Sequence, residues 1–120
     1  MACDPKVTLS LPRRYRLSRR EGFSPILREK ALIKAWFAVH SSPNSTGHAR
    51  LGITVSKRIV PAATRRNAAK RMIRECFRMH CRPGAALDLV IRLRKPVEAK
   101  DVAVARSTLG SLLDAMLAAR

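Results

Sequence analysis

The residues with the most chemistry to offer are the cations between Lys57 and Arg78, in the stretch KRIVPAATRRNAAKRMIRECFR. Guanidinium and ammonium groups bind phosphate oxygens through charge-assisted hydrogen bonds, and arginine does so as a rigid fork. Arg66, Lys70, Arg74 and Arg78 step by four, with Asn67 and Arg71 beside them, so a helix places them on one side. Ala69, Met72, Ile73, Cys76 and Phe77 fall at i, i+3, i+4, i+7 and i+8, one apolar stripe of a 3.6-residue period. Lys57 and Arg58 precede the helix across a turn containing Pro61, and Glu75 is the only acid of the stretch. A helix held to a core by one face and cationic on the other suits a polyanion backbone.

The rest of the composition agrees. With 25 Lys+Arg against 8 Asp+Glu, the formal net charge is +17 on 120 residues. Self-repulsion of that size opposes the compact state, and a polyanionic partner relieves it. Nucleic acid is the expected partner; an anionic membrane is the weaker reading. At 47% hydrophobic the chain has enough apolar residues for one core, which excludes a disordered basic tail. No apolar run reaches the roughly 18 residues of a membrane span. The N-terminus, MACDPKVTLSLPRR, shows no charged region followed by an apolar one, which predicts no secretion signal. Cys3, Cys76 and Cys81 are odd in number and form no CxxC pair, which predicts reduced thiols and a cytoplasmic setting. Cys76, His80 and Cys81 are close in sequence, but no four-ligand spacing accompanies them and no metal site is expected.

These residues need elements to position them. Residues 1–12 read as a flexible lead-in and 13–120 as one domain. Arg13 to Arg20 is arginine-rich around Tyr15; Ser18 and Glu21 then have capping-box spacing for a helix carrying Phe23, Ile26 and Leu27. Pro25 either kinks that helix or starts it, with Ser24 as its cap. Ala31 to His40 reads as one strand, with Ile33, Ala35, Phe37 and Val39 on one face and Lys34, Trp36, Ala38 and His40 on the other. The loop SSPNSTGH leads to a second strand, Arg50 to Ser56, and the two are expected to form a hairpin. After the basic helix, Arg82-Pro83-Gly84 breaks the chain; Leu87 to Leu93 is a third strand. A last helix packs Val102, Ala105, Leu109, Leu112, Leu113 and Met116 on the core. The expected order is helix, strand, strand, helix, strand, helix. The sheet face away from the last two helices mixes Trp36, His40, Thr54 and Arg92 with small Gly52 and Ala38, a groove for an extended ligand.

At Arg66-Asn67, Lys70-Arg71 and Arg74-Glu75 the sequence resembles the protein subunit of bacterial ribonuclease P. The strand and basic pair from Gly47 to Arg58, the Phe23 and Leu27 spacing, and Asp88 opening the third strand all fit that family's pattern. The resemblance covers roughly residues 13 to 117. It implies an α/β (α+β) two-layer sandwich with a small mixed sheet and a left-handed βαβ crossover, similar to a ribosomal-protein-type domain. It also implies binding to a catalytic RNA that, with Mg2+ held on the RNA side, removes the 5′ leader from precursor tRNA. On that reading Lys57, Arg58, Arg65, Arg66, Asn67, Lys70, Arg71 and Arg74 contact the RNA subunit. Phe23, Trp36, His40 and Arg92 line a groove for the leader, with Arg19 and Arg20 nearby.

The chain departs from the family pattern at Ala68, where the motif has a second arginine; Arg65 is the candidate replacement. The alternative for Phe23 is ordinary core, and Trp36 either faces the groove or packs under the first helix. The acids are scattered, without the grouped carboxylates that hold metal for phosphodiester cleavage, so no catalytic residue is expected in this chain and no metal bound by it. A ribosomal or other structural RNA-binding protein is the alternative function. A DNA reader is disfavoured, because cations spread along one helix suit phosphate contact better than base readout.

Overall fold

The computed structural model describes residues 16–17, 26–27, 31–44, 47–80 and 86–118. Four strands form one sheet: β1 (Leu32–Lys34), β2 (Phe37–Pro43), β3 (Arg50–Thr54) and β4 (Leu87–Leu93), in spatial order β1-β2-β4-β3. Helix α1 (Ala63–His80) connects β3 to β4, and a 3-10 turn (Ala99–Asp101) leads into helix α2 (Val102–Ala118). Both helices lie on one face of the sheet. Ile26 and Leu27 are helical; Ser18, Glu21, Phe23, Ser24 and Pro25 lie outside the described residues.

Two expectations are corrected. The span Ala31–His40 is two strands rather than one, folded back at Ala35-Trp36 so that Lys34 sits opposite Phe37. Ala35 takes φ 50 to make this turn, and the backbone N–H of Arg94 donates to the Trp36 carbonyl at 2.7 Å while its guanidinium donates to that of Ala35 at 3.0 Å. The fold-back reverses the face of Ile33, which now lies opposite Ala38 instead of beside Phe37. The helix-strand-strand order therefore gains a strand.

The second correction concerns pairing. β2 and β3 are not hairpin neighbours, because β4 lies between them, antiparallel to β2 and parallel to β3. The physical reason is in the β4 sequence, LDLVIRL, whose residues are buried on both faces except Arg92. A strand buried on both sides, by Leu87, Leu89, Ile91 and Leu93 on one and by Val90 and the ion-paired Asp88 on the other, belongs in the interior of a sheet. Parallel β3 and β4 require a crossover, and α1 supplies it. The outer edge of β3 is partly covered: the N–H of Leu17 donates to the Leu51 carbonyl at 2.7 Å.

Register sorts the sheet into two faces. Phe37, Val39, Leu51, Leu87, Leu89, Ile91 and Leu93 point towards the helices, where Met72, Ile73, Cys76 and Phe77 of α1 meet Ala105, Leu109, Leu112, Leu113 and Leu117 of α2. Each large side chain buried in this way stabilises the fold by about 1.5–3 kcal/mol. The apolar stripes read from the sequence face the core, with Ala69, Val102 and Met116 partly buried at its margin. On the opposite face Val90 is covered by Leu17 and Ile26, with Leu27 packed alongside.

The two helices are also tied by polar groups. Arg106 donates to Glu75 at 2.9 Å, and His80 Nδ1 lies 2.8 Å from Asp114 Oδ1. Gly110 allows the approach: a Cβ there would stand 2.8 Å from His80 Nε2. In a His80→Ala background, Gly110→Ala should stabilise by about 0.5–1 kcal/mol through helix propensity. With His80 present that gain should shrink or reverse, a coupling that urea denaturation of the four variants would measure.

The open end of the sheet is closed by a buried acid. Asp88 takes a fork from Arg50, Nε to Oδ1 and Nη2 to Oδ2 at 2.8 Å each, and a third bond from Asn44 Nδ2 at 2.8 Å. Asn44 also donates to the His48 carbonyl, so the long β2–β3 loop is fastened to β4. Asp88→Ala removes the buried carboxylate that receives Arg50 and Asn44 and should cost on the order of 3 kcal/mol, whereas Arg50→Met with Asp88→Leu should cost much less. Denaturant midpoints of the two proteins check this.

Candidate nucleic-acid interface

The cationic surface begins at the turn before α1. The Ser56 carbonyl accepts from the N–H groups of Ile59 at 3.2 Å and Val60 at 2.9 Å, and the Ser56 hydroxyl accepts from Ile59 at 3.2 Å. This tight turn leaves Lys57 and Arg58 exposed just ahead of the helix. In α1, Arg65, Asn67 and Arg71 are exposed, while Arg66, Lys70, Arg74 and Arg78 are half-buried along their stems. The first turn of α1 has no acid. Glu75 is engaged by Arg106 of α2, so its charge is partly neutralised on the helix-facing side.

Cations near a helix N-terminus oppose the macrodipole, and each costs a few tenths of a kcal/mol or more. The same arrangement adds the positive end of the dipole to the charges of Lys57, Arg58, Arg65 and Arg66. That is the field a phosphate backbone is drawn to.

Arg66 has a second duty that its place in the helical repeat did not announce. Its Nη1 donates to the carbonyls of Val60 at 3.0 Å and Pro61 at 2.7 Å, buckling the turn onto the helix. The signal available in sequence was only its distance from Pro61. The buried Cys76 offers no competing chemistry: burial pushes its thiol pKa up, against the opposing pull of Arg106. Among the described residues no three His, Cys, Asp or Glu side chains group to hold a metal ion. No helix among them is long and apolar enough to cross a membrane.

The far face of the sheet is arranged in rows across the strands. Ala38, Arg92 and Thr54 form one row, with Ile33 at its β1 end; Arg92 and Ile33 are exposed. His40, Val90 and Gly52 form the next row and are buried. His40 therefore sits on the expected face but presents no open ring.

Trp36 is elsewhere. It occupies the β1–β2 turn and packs against the helix-side core, with Lys95 Nζ 5.4 Å from its ring centroid. The fold-back at Ala35 is what carries it away from the groove. Phe23, Arg19 and Arg20 lie outside the described residues. Of the four residues expected to line the groove, Arg92 is thus the one placed open on that face.

Comparison with known proteins supplies the family. The Ribonuclease P family profile matches residues 11–117. A ribonuclease P protein component of Nitrosomonas europaea is 38% identical over 93 residues, covering 77% of this chain and 78% of that one. One from Photorhabdus laumondii is 32% identical over 107 residues, covering 88% and 90%. Among solved structures, the ribonuclease P protein of Thermotoga maritima aligns with TM-score 0.72 at 34% identity, over 83% of this chain and 96% of that one. The Staphylococcus aureus protein aligns with TM-score 0.67 at 27% identity, over 90% and 93%. The family profile over nearly the whole chain, relatives above 30% identity and the shared fold agree: the chain belongs to the ribonuclease P protein family.

Proposed function

We propose that this chain is the RNA-binding protein component of ribonuclease P and that it sorts two RNAs onto two surfaces. The exposed side of α1, with Lys57 and Arg58, anchors the catalytic RNA subunit. The far sheet face around the exposed Arg92 and Ile33 holds the single-stranded 5′ leader of precursor tRNA. Phosphodiester cleavage belongs to the RNA subunit, and the protein's part is to bind, align and screen charge.

The observation that carries this reading is the division of α1, whose apolar stripe is buried while its cations remain on the surface. Cations spread along a helix meet phosphates, and each phosphate neutralised releases condensed counterions. Bringing +17 of charge to a folded RNA offsets the repulsion between RNA segments that Mg2+ otherwise screens. A leader strand is charged and extended, and mature tRNA lacks it. Energy gained on the leader face therefore distinguishes substrate from product.

Lys70→Ala and Arg74→Ala should make the slope of log affinity for the RNA subunit against log salt shallower by roughly 0.7–0.9 for each phosphate no longer neutralised, with stability unchanged. Arg66→Ala should do the same and also lower stability by about 1 kcal/mol, because the Val60 and Pro61 carbonyls lose their donor. Filter binding across a salt series with parallel thermal melts separates the two; an unchanged slope in all three would make α1 a solvated face.

On the leader face, Arg92→Ala should weaken holoenzyme binding of precursor tRNA severalfold and leave mature tRNA unaffected. Equal losses for both ligands would take Arg92 out of leader recognition.

A further inference from the structure

Beside the cationic ridge of α1 the structure opens an apolar pocket of about 400 Å³. Its walls are Val60 from the turn before α1, Met72 from α1, Leu93 at the end of β4, Pro96 and Val97 from the segment after it, and Val102 at the start of α2. Ala68 stands at the α1 side, and Ala99 stands on the opposite wall. Arg65 and Arg71, each three residues from Ala68, rise on either side of it and are exposed; Arg106 closes the rim in an ion pair with Glu75, which also lines the pocket. Six residues of helix separate Arg65 and Arg71 by about 9 Å along the axis.

We infer that this pocket receives one unstacked nucleobase of the RNA subunit, with the phosphates flanking that nucleotide held by Arg65 and Arg71. The inference deepens the reading of α1 as the RNA-binding face and rests on it. Apolar walls with a rim of net positive charge, Arg65, Arg71 and Arg106 against Glu75, match a nucleotide better than they match a protein segment. A base presents a flat, weakly hydrated face to the walls, and its backbone brings negative charge to the rim. A volume of this size lies in the range of small-ligand sites. Protein recognition of RNA concentrates on unpaired bases that can be splayed from the stack, and such a base is extruded at a cost of a few kcal/mol. The small, exposed side chain at position 68 leaves the mouth open on the α1 side.

Ala68→Leu and Ala99→Leu each narrow the pocket from opposite walls without removing a cation. Binding of the in vitro transcribed cognate RNA subunit is measured against salt for both, beside Ala68→Ser as a small control and Lys70→Ala with Arg74→Ala. Thermal melts establish that each variant is folded, and either leucine variant decides if the other is not. The expected result is an affinity at least about fivefold weaker for the leucine variants, with an unchanged salt slope, and wild-type affinity for Ala68→Ser. Wild-type affinity in a folded leucine variant, while Lys70→Ala with Arg74→Ala still alters the slope, overturns the pocket and leaves the α1 face standing. Absence of every effect, including that of Lys70→Ala with Arg74→Ala, sinks the reading of α1 itself. A protein dimer in sedimentation that Ala68→Leu dissolves would assign the pocket to a second copy of this chain and overturn the base as well.

Discussion

The structure depends on one burial: Met72, Ile73, Cys76 and Phe77 of α1 pressed against the helix-facing side of the sheet, with α2 alongside. A helix crowded with cations repels itself, and those at its first turn also oppose its dipole. Propensity alone does not hold such a helix in water, because helices in proteins draw most of their stability from packing an amphipathic face. The stripe supplies that packing. It also fixes the rotation of α1 about its own axis, which decides that Arg65, Asn67 and Arg71 face solvent. The cationic surface is thus a consequence of core packing.

The sheet is the rigid element behind both surfaces. β4 is central because it is buried on both faces save at Arg92, and its two faces serve different ends. Leu89, Ile91 and Leu93 floor the helical core, while Arg92 and Val90 look the other way. Asp88, at the same strand's opening, ties Arg50 of β3 and Asn44 beyond β2. That cluster holds the register across the parallel crossover, where a one-residue slip would exchange core and surface residues.

Much of this is legible in the residues. The i, i+3, i+4 stripes of both helices have a strong period and mark the faces that are buried, and the strand at β4 follows from its alternation. What is not legible is local. The β1–β2 turn lacks the Asn-Gly or Gly signals of a two-residue hairpin, and Ala35 at φ 50 is a conformation its residue type does not advertise. Without that turn, alternation alone places Trp36 on the wrong side of the sheet. Strand order is hidden for a different reason: alternation names a strand's faces, whereas its neighbours are chosen by how much surface every other strand must bury. The anchoring of Arg66 to two carbonyls is masked by the residue's more obvious role as a cation.

The central claim, that two faces of one small domain sort two RNAs, is tested most directly by where each face touches RNA in the assembled enzyme. A photo-crosslinking benzoylphenylalanine at position 67 reports from the exposed side of α1, and one at position 92 reports from the far sheet face. In holoenzyme bound to precursor tRNA with a labelled leader, position 67 should crosslink to the RNA subunit and position 92 to the leader. Crosslinks from both positions to the same RNA, or the two targets exchanged, would contradict the account.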